Sequence, residues 1–412
     1  MIQMGTIILA QWIAVSSVGA GLPQLGSDVR VTDLRCEYLV NPLGVDAAQP
    51  RLSWKLESRW RGQKQTAYQI LVAGSERMLK DDRADLWDSG KVQSDQSIHV
   101  AYSGRPLASR TRCYWKVRVW DADGKACPFS EIATWDMGLL TPQDWKAQWI
   151  SAPGKDEDKG PQPAPLFRKS FLLDEAPVAA RVYICGLGYH ELRLNGQKVG
   201  DHVLDPAFTR YDRRALYVVH DVTNQLKKGP NALGVILGNG WYNMHTRCVW
   251  DFDKAPWRDR PVLRCQLEMT FADGSTRVVA SDATWRVSTG PIVFDSIRNG
   301  ETYDARLEIP NWDAADFDDI NWPLAQIDSG PKGELRSQMM PAIKVTQTLK
   351  SARLAEPKPG VVVFDIGQNM AGWVRLKVSG PAGTEIVLRY GERLNADGTL
   401  DQQEIGQHIK TG

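Results

Sequence analysis

What most constrains this chain is a two-residue alternation of apolar and polar side chains that begins at Val29. Leu52, Trp54 and Leu56 alternate with polar neighbours, and so do Tyr68, Ile70 and Val72. Trp115, Val117 and Val119 share one face of their segment, while Tyr114, Lys116, Arg118 and Trp120 share the other. A helix scatters such residues around its axis, whereas a strand sorts them onto two faces. Asp121-Ala122-Asp123-Gly124 then turns the chain. Short alternating strands separated by turns predict an antiparallel sandwich over residues 28–140. Trp54 is expected in its core, because a large flat side chain flanked by alternating apolar residues gains most by burial.

The same logic extends along the chain. Residues 151–165 (SAPGKDEDKGPQPAP) have the composition of an exposed connection, and they open a second β-rich region spanning 151–340. Asn195-Gly196 and Asp273-Gly274 each separate two strand-like runs, the strongest short hairpin signal. Lys228-Gly229-Pro230-Asn231 separates two more, and Asp221 to Leu226 allows one capped turn. Gly186-Leu187-Gly188, between two strands, reads as a tight bend. With no long amphipathic helix, the region reads as a two-sheet jelly roll. In residues 341–412, strands are expected at Val361–Phe364, Val374–Val378 and Ile386–Tyr390, with turns at Pro381-Ala382-Gly383 and Asn395-Ala396-Asp397-Gly398. So few strands cannot close a sandwich, which leads to the expectation that the chain is the front of a longer protein. The predicted fold class is therefore all-β, in tandem β-sandwiches.

Charge excludes one class of partner. Lys plus Arg is 50 and Asp plus Glu 49, so no basic surface for nucleic acid is expected. Thr6 to Val15 is apolar and Ser16 to Ala20 are small, so residues 1–27 read as a signal peptide. That run is too short to span a bilayer as a helix, and no later stretch is a membrane candidate. The expected location is periplasmic or secreted, with the cytoplasm as the alternative if the start is mis-assigned. The six cysteines show no CxxC spacing and read as buried free thiols.

No nucleophile elbow, zinc-protease helix, nucleotide loop or histidine pair at metal spacing occurs. Glu301 and Asp304 supply two carboxylates, but three residues apart on a strand they point to opposite faces. Asp313, Asp316, Asp318 and Asp319 cluster in NWDAADFDDINW; they offer oxygen ligands for calcium, and a solvated loop is the favoured reading. Sugar binding has more support. The chain holds 16 Trp against 9 Phe and 11 Tyr, and an aromatic face stacks on a pyranose. In LGNGWYN, Asn239 suits hydroxyl groups and Trp241 or Tyr242 a sugar face. Asp205-Pro206 and Thr209 to Asp212 form a second polar-aromatic loop containing Tyr211. Asp205 and Asp212 are candidate calcium ligands there. The competing reading has these aromatic residues plugging the ends of the sandwich.

Taken together, several stretches resemble the N-terminal half of bacterial α-L-rhamnosidases. They are RCEYLVNPLGVDAAQPRLSW, GLGYHELRLNGQKVGDHVLDPAFTRYDRRALYVVHDVT, NALGVILGNGWYN, GETYDAR and FDIGQNMAGWVRLKVSGPAGTEIVLRYGERLNADGTL. The resemblance implies a fibronectin type III-like domain, then a jelly roll similar to rhamnose-binding modules, some of which use calcium. A concanavalin-like sandwich opened by DIGQNMAGW follows. In that family an (α/α)6 barrel comes next and supplies the acids for inverting hydrolysis. No residue here matches that barrel, so the resemblance implies accessory domains that are inactive alone. The implied partners are a rhamnose-containing glycoside or polysaccharide and the catalytic barrel. The alternatives are a stand-alone lectin-like protein, a hydrolase using carboxylates such as Glu301, and a structural β-domain string.

Overall fold

A computed structural model describes residues 27–154, 162–247 and 250–403. Residues 1–26, and with them the leader reading, lie outside that range. The first body is a two-sheet sandwich. Arg30–Cys36, Arg51–Glu57 and Val100–Ala101 form one sheet; Trp87–Asp88, Ala67–Ala73, Arg112–Trp120 and Ala133–Asp136 form the other. Leu52, Trp54, Ile70, Val72, Trp115, Val117 and Val119 fill the space between them, as the alternation requires. The indole N–H of Trp54 donates to Gln65 Oε1 at 3.0 Å, so its burial leaves no orphan donor. The outer face of the second sheet is also covered. The short helix Glu76–Lys80 packs Leu79 against Leu71 and Ala73. Lys116, on that face, is buried and donates to Leu79 O and to the Asp82 carboxylate.

The second body is a larger two-sheet sandwich. Its seven-stranded sheet centres on Val262–Thr270, Ala179–Leu187 and Arg214–Asp221; the five-stranded sheet runs Gln197–Lys198, Tyr189–Leu194, Gly229–Gly238, Pro165–Leu173 and Arg286–Thr289. The chain passes from one sheet to the other at Gly188. A Cβ there would sit 1.9 Å from the Asn239 carbonyl oxygen, so only glycine permits this approach. The predicted hairpin turn forms with both residues left-handed, Asn195 at φ 53° and Gly196 at φ 82°. The two bodies are joined by buried contacts. Leu139 N–H donates to the Tyr217 hydroxyl at 3.0 Å, and Arg181 holds Asp136 at 3.0 Å. Arg110 spans Asp144 and Glu268 at 2.7 and 2.6 Å.

Beyond residue 350 the outcome differs from the sequence reading. Arg353–Lys358 and Val361–Asp365 form a hairpin, and the turns at 381–383 and 395–398 form. Val374–Val378 and Ile386–Tyr390 do not become strands. Alternation marks a face that wants burial, but a strand also needs an edge to pair with. Among the described residues nothing pairs with these stretches. Trp373 remains 54% exposed and Val387 62%. Limited proteolysis is therefore expected to cut first within residues 366–393, leaving a resistant product that ends near residue 345. Equal protection of both regions by mass spectrometry would contradict this.

The five described cysteines, Cys36, Cys113, Cys127, Cys185 and Cys265, are buried and free. Burial pushes the Cys113 and Cys265 thiols up to about 12, which suits inert packing rather than reactivity. Cys248 lies outside the described residues.

Candidate functional site

Segments 204–213, 238–247 and 250–260 and the hairpin Ile292–Tyr303 meet at the end of the jelly roll. Strand Gly229–Gly238 delivers Asn239 to this meeting point, where it is held firmly. Its N–H and Nδ2 donate to the Asp295 carboxylate at 2.7 and 2.9 Å, and its Oδ1 accepts from Asn243 Nδ2 at 2.7 Å. Burial raises the pKa of Asp295, against the hydrogen bonds from Asn239. Glu301 pairs directly across the hairpin from Asp295, and its pKa is raised by burial and by that neighbouring charge. Asp304 lies past the strand and is tied to Arg306, whose side chain holds it down to about 2. Glu301 and Asp304 are thus not brought together; Asp295 is the partner the sequence reading missed. Its only signal was its place opposite Glu301 in a hairpin.

The aromatic residues form one continuous cluster. Tyr211 and Tyr242 meet edge to face at 5.3 Å and are fully buried, so their rings plug the sandwich. Trp241 is partly open and leans on Phe208 at 5.6 Å and Phe252 at 5.4 Å. Phe208 is 40% and Trp250 62% exposed, the latter with the Arg298 guanidinium 4.7 Å over its ring. Several buried polar atoms around this patch have no partner: Trp257 Nε1, Asp253 Oδ1, His245 Nε2 and Arg298 Nε. Such atoms are costly unless water or a ligand satisfies them. A cavity of about 140 Å³ adjoins, lined by Asn239, Asn243, Pro163 and Arg260 among others. Asn239, Trp241, Tyr211 and Tyr242 therefore share one end of the domain, with only Trp241 presenting ring surface.

Asp205 and Asp212 have different surroundings. Asp212 is held by Arg210 at 2.7 Å. Asp205 is buried and accepts from His202 Nδ1 at 2.7 Å, with His190 and His220 close by. Calcium takes six to eight oxygen ligands. A carboxylate among imidazoles and another already paired to an arginine do not fit that ion.

The acidic stretch 313–319 is divided: Asp316 and Asp318 are exposed, as a solvated loop requires, while Asp313 and Asp319 turn inward. Asp313 is buried and paired to Arg193; Asp319 is paired to Arg168. Arg168 is fully buried and also donates to Trp312 O at 2.9 Å and Ala314 O at 2.7 Å. These carboxylates anchor the loop to the sandwich. The sequence could not show it, because the arginines sit more than a hundred residues upstream.

Comparison with known proteins fits this architecture. Residues 31–141 match the description "Rha78A-like, N-terminal immunoglobulin domain", and residues 175–347 match "Alpha-L-rhamnosidase N-terminal domain". Residues 355–411 match "Bacterial alpha-L-rhamnosidase concanavalin-like domain". An α-L-rhamnosidase of Formosa agariphila is 39% identical over 381 residues, covering 87% of this chain and 40% of the relative. The solved α-L-rhamnosidase of Dictyoglumus thermophilum aligns with TM-score 0.79 at 39% identity, over 90% of this chain and 42% of that one. The Streptomyces avermitilis enzyme complexed with L-rhamnose aligns with TM-score 0.85 at 29% identity, over 92% of this chain and 53% of that one. The chain thus spans about 40% of the length of the first curated relative.

Proposed function

This chain belongs to the α-L-rhamnosidase family, and from that premise we propose that its 412 residues are the accessory β-domains of an enzyme hydrolysing terminal α-L-rhamnosides. The observation that carries the accessory role is what the chain matches: an immunoglobulin domain, a rhamnosidase N-terminal domain and a concanavalin-like domain, over about 40% of the length of the first curated relative. Asp295 and Glu301, direct cross-strand neighbours, are the carboxylate pair at the candidate site, and Asp295 is already bound by Asn239.

The jelly-roll end then has a supporting role: it holds the glycoside. Trp241 and Trp250 offer stacking faces, and the unpartnered polar atoms beside them offer hydrogen bonds to hydroxyls. Tyr211 and Tyr242 set the shape of the platform from beneath. Titration with L-rhamnose, followed by calorimetry or ligand-observed NMR, is expected to give saturable heat or transfer. Trp250→Ala is expected to weaken it about tenfold, the equivalent of ~1.4 kcal/mol. A synthetic nitrophenyl rhamnoside should not be turned over by the 412-residue chain. Turnover abolished by Glu301→Gln would instead establish the Asp295–Glu301 pair as a catalytic centre. Absence of both binding and turnover would leave the domain as a pure buttress and sink the glycoside-holding role.

A further inference from the structure

Between the two sheets of the jelly roll lies a cluster that the sugar-facing end does not use. His190 lies on Tyr189–Leu194 of the five-stranded sheet, and His220 on Arg214–Asp221 of the seven-stranded sheet. Asp205 comes from the intervening loop, its carbonyl accepting from His190 N–H at 2.7 Å. One donor atom from each of the three side chains lies within 4.8 Å of the others, and all three residues are buried. His190 Nε2 has no hydrogen-bond partner. Each histidine is only 8% exposed, so their ring nitrogens are shielded from water. A buried imidazole nitrogen left without a partner beside a second imidazole and a carboxylate calls for a further group.

We propose that His190, Asp205 and His220 bind a borderline divalent transition-metal ion of the zinc type, which staples the two sheets together. The donor set is two imidazoles and one carboxylate, which suits zinc rather than an oxygen-seeking ion such as calcium. Tetrahedral coordination leaves the fourth position to water. His202 is a positioning residue. Its Nδ1 bonds Asp205 Oδ2 at 2.7 Å, while Gln338 Nε2 approaches Oδ1 at 3.3 Å, so the carboxylate is oriented from both sides. Glycine leaves the space beside His220 open. A Cβ on Gly200 would lie 3.2 Å from His220 Nδ1, and Gly200 takes φ 69°.

The protonation states agree with this geometry. Burial disfavours the charged form of both rings, in keeping with ligands that bind through a neutral imidazole. Asp205 is oriented by the hydrogen bond to His202, which favours its ionised form against the effect of burial. Binding has one local cost. His190 Nδ1 accepts from Gly186 N–H at 3.3 Å, so the ring proton sits on Nε2. Coordination through Nε2 moves that proton to Nδ1 and breaks this long contact.

The test uses the full chain, stripped with chelator and then titrated with Zn2+, Co2+ or Ca2+ alone. One Zn2+ per chain is expected, raising Tm by roughly 5–10 °C at a hundredfold excess over Kd. Co2+ should give visible d–d bands without a sulfur-to-metal charge-transfer band, which excludes cysteine binding. His220→Gln is expected to weaken Zn2+ binding by about 100-fold. Asp205→Asn, which keeps shape and backbone, serves if the first variant does not fold. His99→Gln, in the other body, should change nothing. No Zn2+-dependent shift, an equal shift with Ca2+, or unaltered binding in both cluster variants would overturn the proposal.

Discussion

Replacing Arg168 by alanine is expected to lower the stability of the jelly roll by about 3–5 kcal/mol, the usual cost of removing one member of a buried ion pair. The guanidinium is fully buried and has partners on every side. It bonds the carbonyls of Trp312 and Ala314 and the Asp319 carboxylate, and its plane lies 5.5 Å from the Phe317 ring. Every one of these partners belongs to the segment NWDAADFDDINW, whereas Arg168 lies on Pro165–Leu173 of the five-stranded sheet. Truncation therefore leaves a carboxylate and two carbonyls without their donor and releases the segment. A drop in Tm of roughly 10 °C by calorimetry is expected. Arg168→Met combined with Asp319→Leu should recover part of the loss, since the buried pair is removed whole and only Arg286, partly exposed and 4.0 Å from Asp319, loses a neighbour. If the double variant is as unstable as Arg168→Ala, the loss is one of shape rather than of charge.

This pair also marks where sequence reading stops. Alternation at Leu52–Trp54–Leu56 and Trp115–Val117–Val119 was enough to fix strands, faces and core, because a strand's periodicity is local. The turns at Asn195-Gly196 and Asp273-Gly274 were equally legible, for only a few residue pairs tolerate the required dihedrals. Val374–Val378 and Ile386–Tyr390 show the limit, since the alternation is present and the pairing edge is not. Contacts between distant segments left no local trace. Asp313 and Asp319 look solvated like their exposed neighbours Asp316 and Asp318 until Arg193 and Arg168 are placed against them. His190, His202 and His220 have no metal spacing in sequence, and opposing sheets bring them together. A faint signal existed: three of the six histidines fall within one stretch of the jelly roll.

In the presence of chelator, stability is expected to fall steeply between pH 6.5 and pH 4, and His190 and His220 are responsible. Both are buried and neutral, with pKa values depressed from 6.5 to about 4 and about 3 by loss of solvation. Asp205 favours a proton on either ring, but loss of solvation outweighs it, and Lys344 neutralises Asp201 at 2.9 Å. Across this window the unfolded chain binds protons at these positions and the folded chain does not. Stability therefore rises with pH here and is lost on acidification. At about 1.36 kcal/mol per pKa unit, the two rings, titrating as a coupled pair, together account for a loss on the order of a few kcal/mol by pH 4. Depressed carboxylates such as Asp304, held at about 2, begin to lose their contribution only as pH nears the ordinary carboxylate range, so the limb between pH 7 and 5.5 reports the histidines. Urea midpoints measured at pH 7, 5.5 and 4 should therefore converge toward a flat profile in a His190→Asn, His220→Asn double variant. An unchanged acid slope in that variant would mean that the two rings are charged in the folded protein or that another group controls the transition. Zinc adds a second discriminating arm: a metal that needs neutral imidazoles should steepen the wild-type slope when chelator is left out, and should leave the double variant untouched.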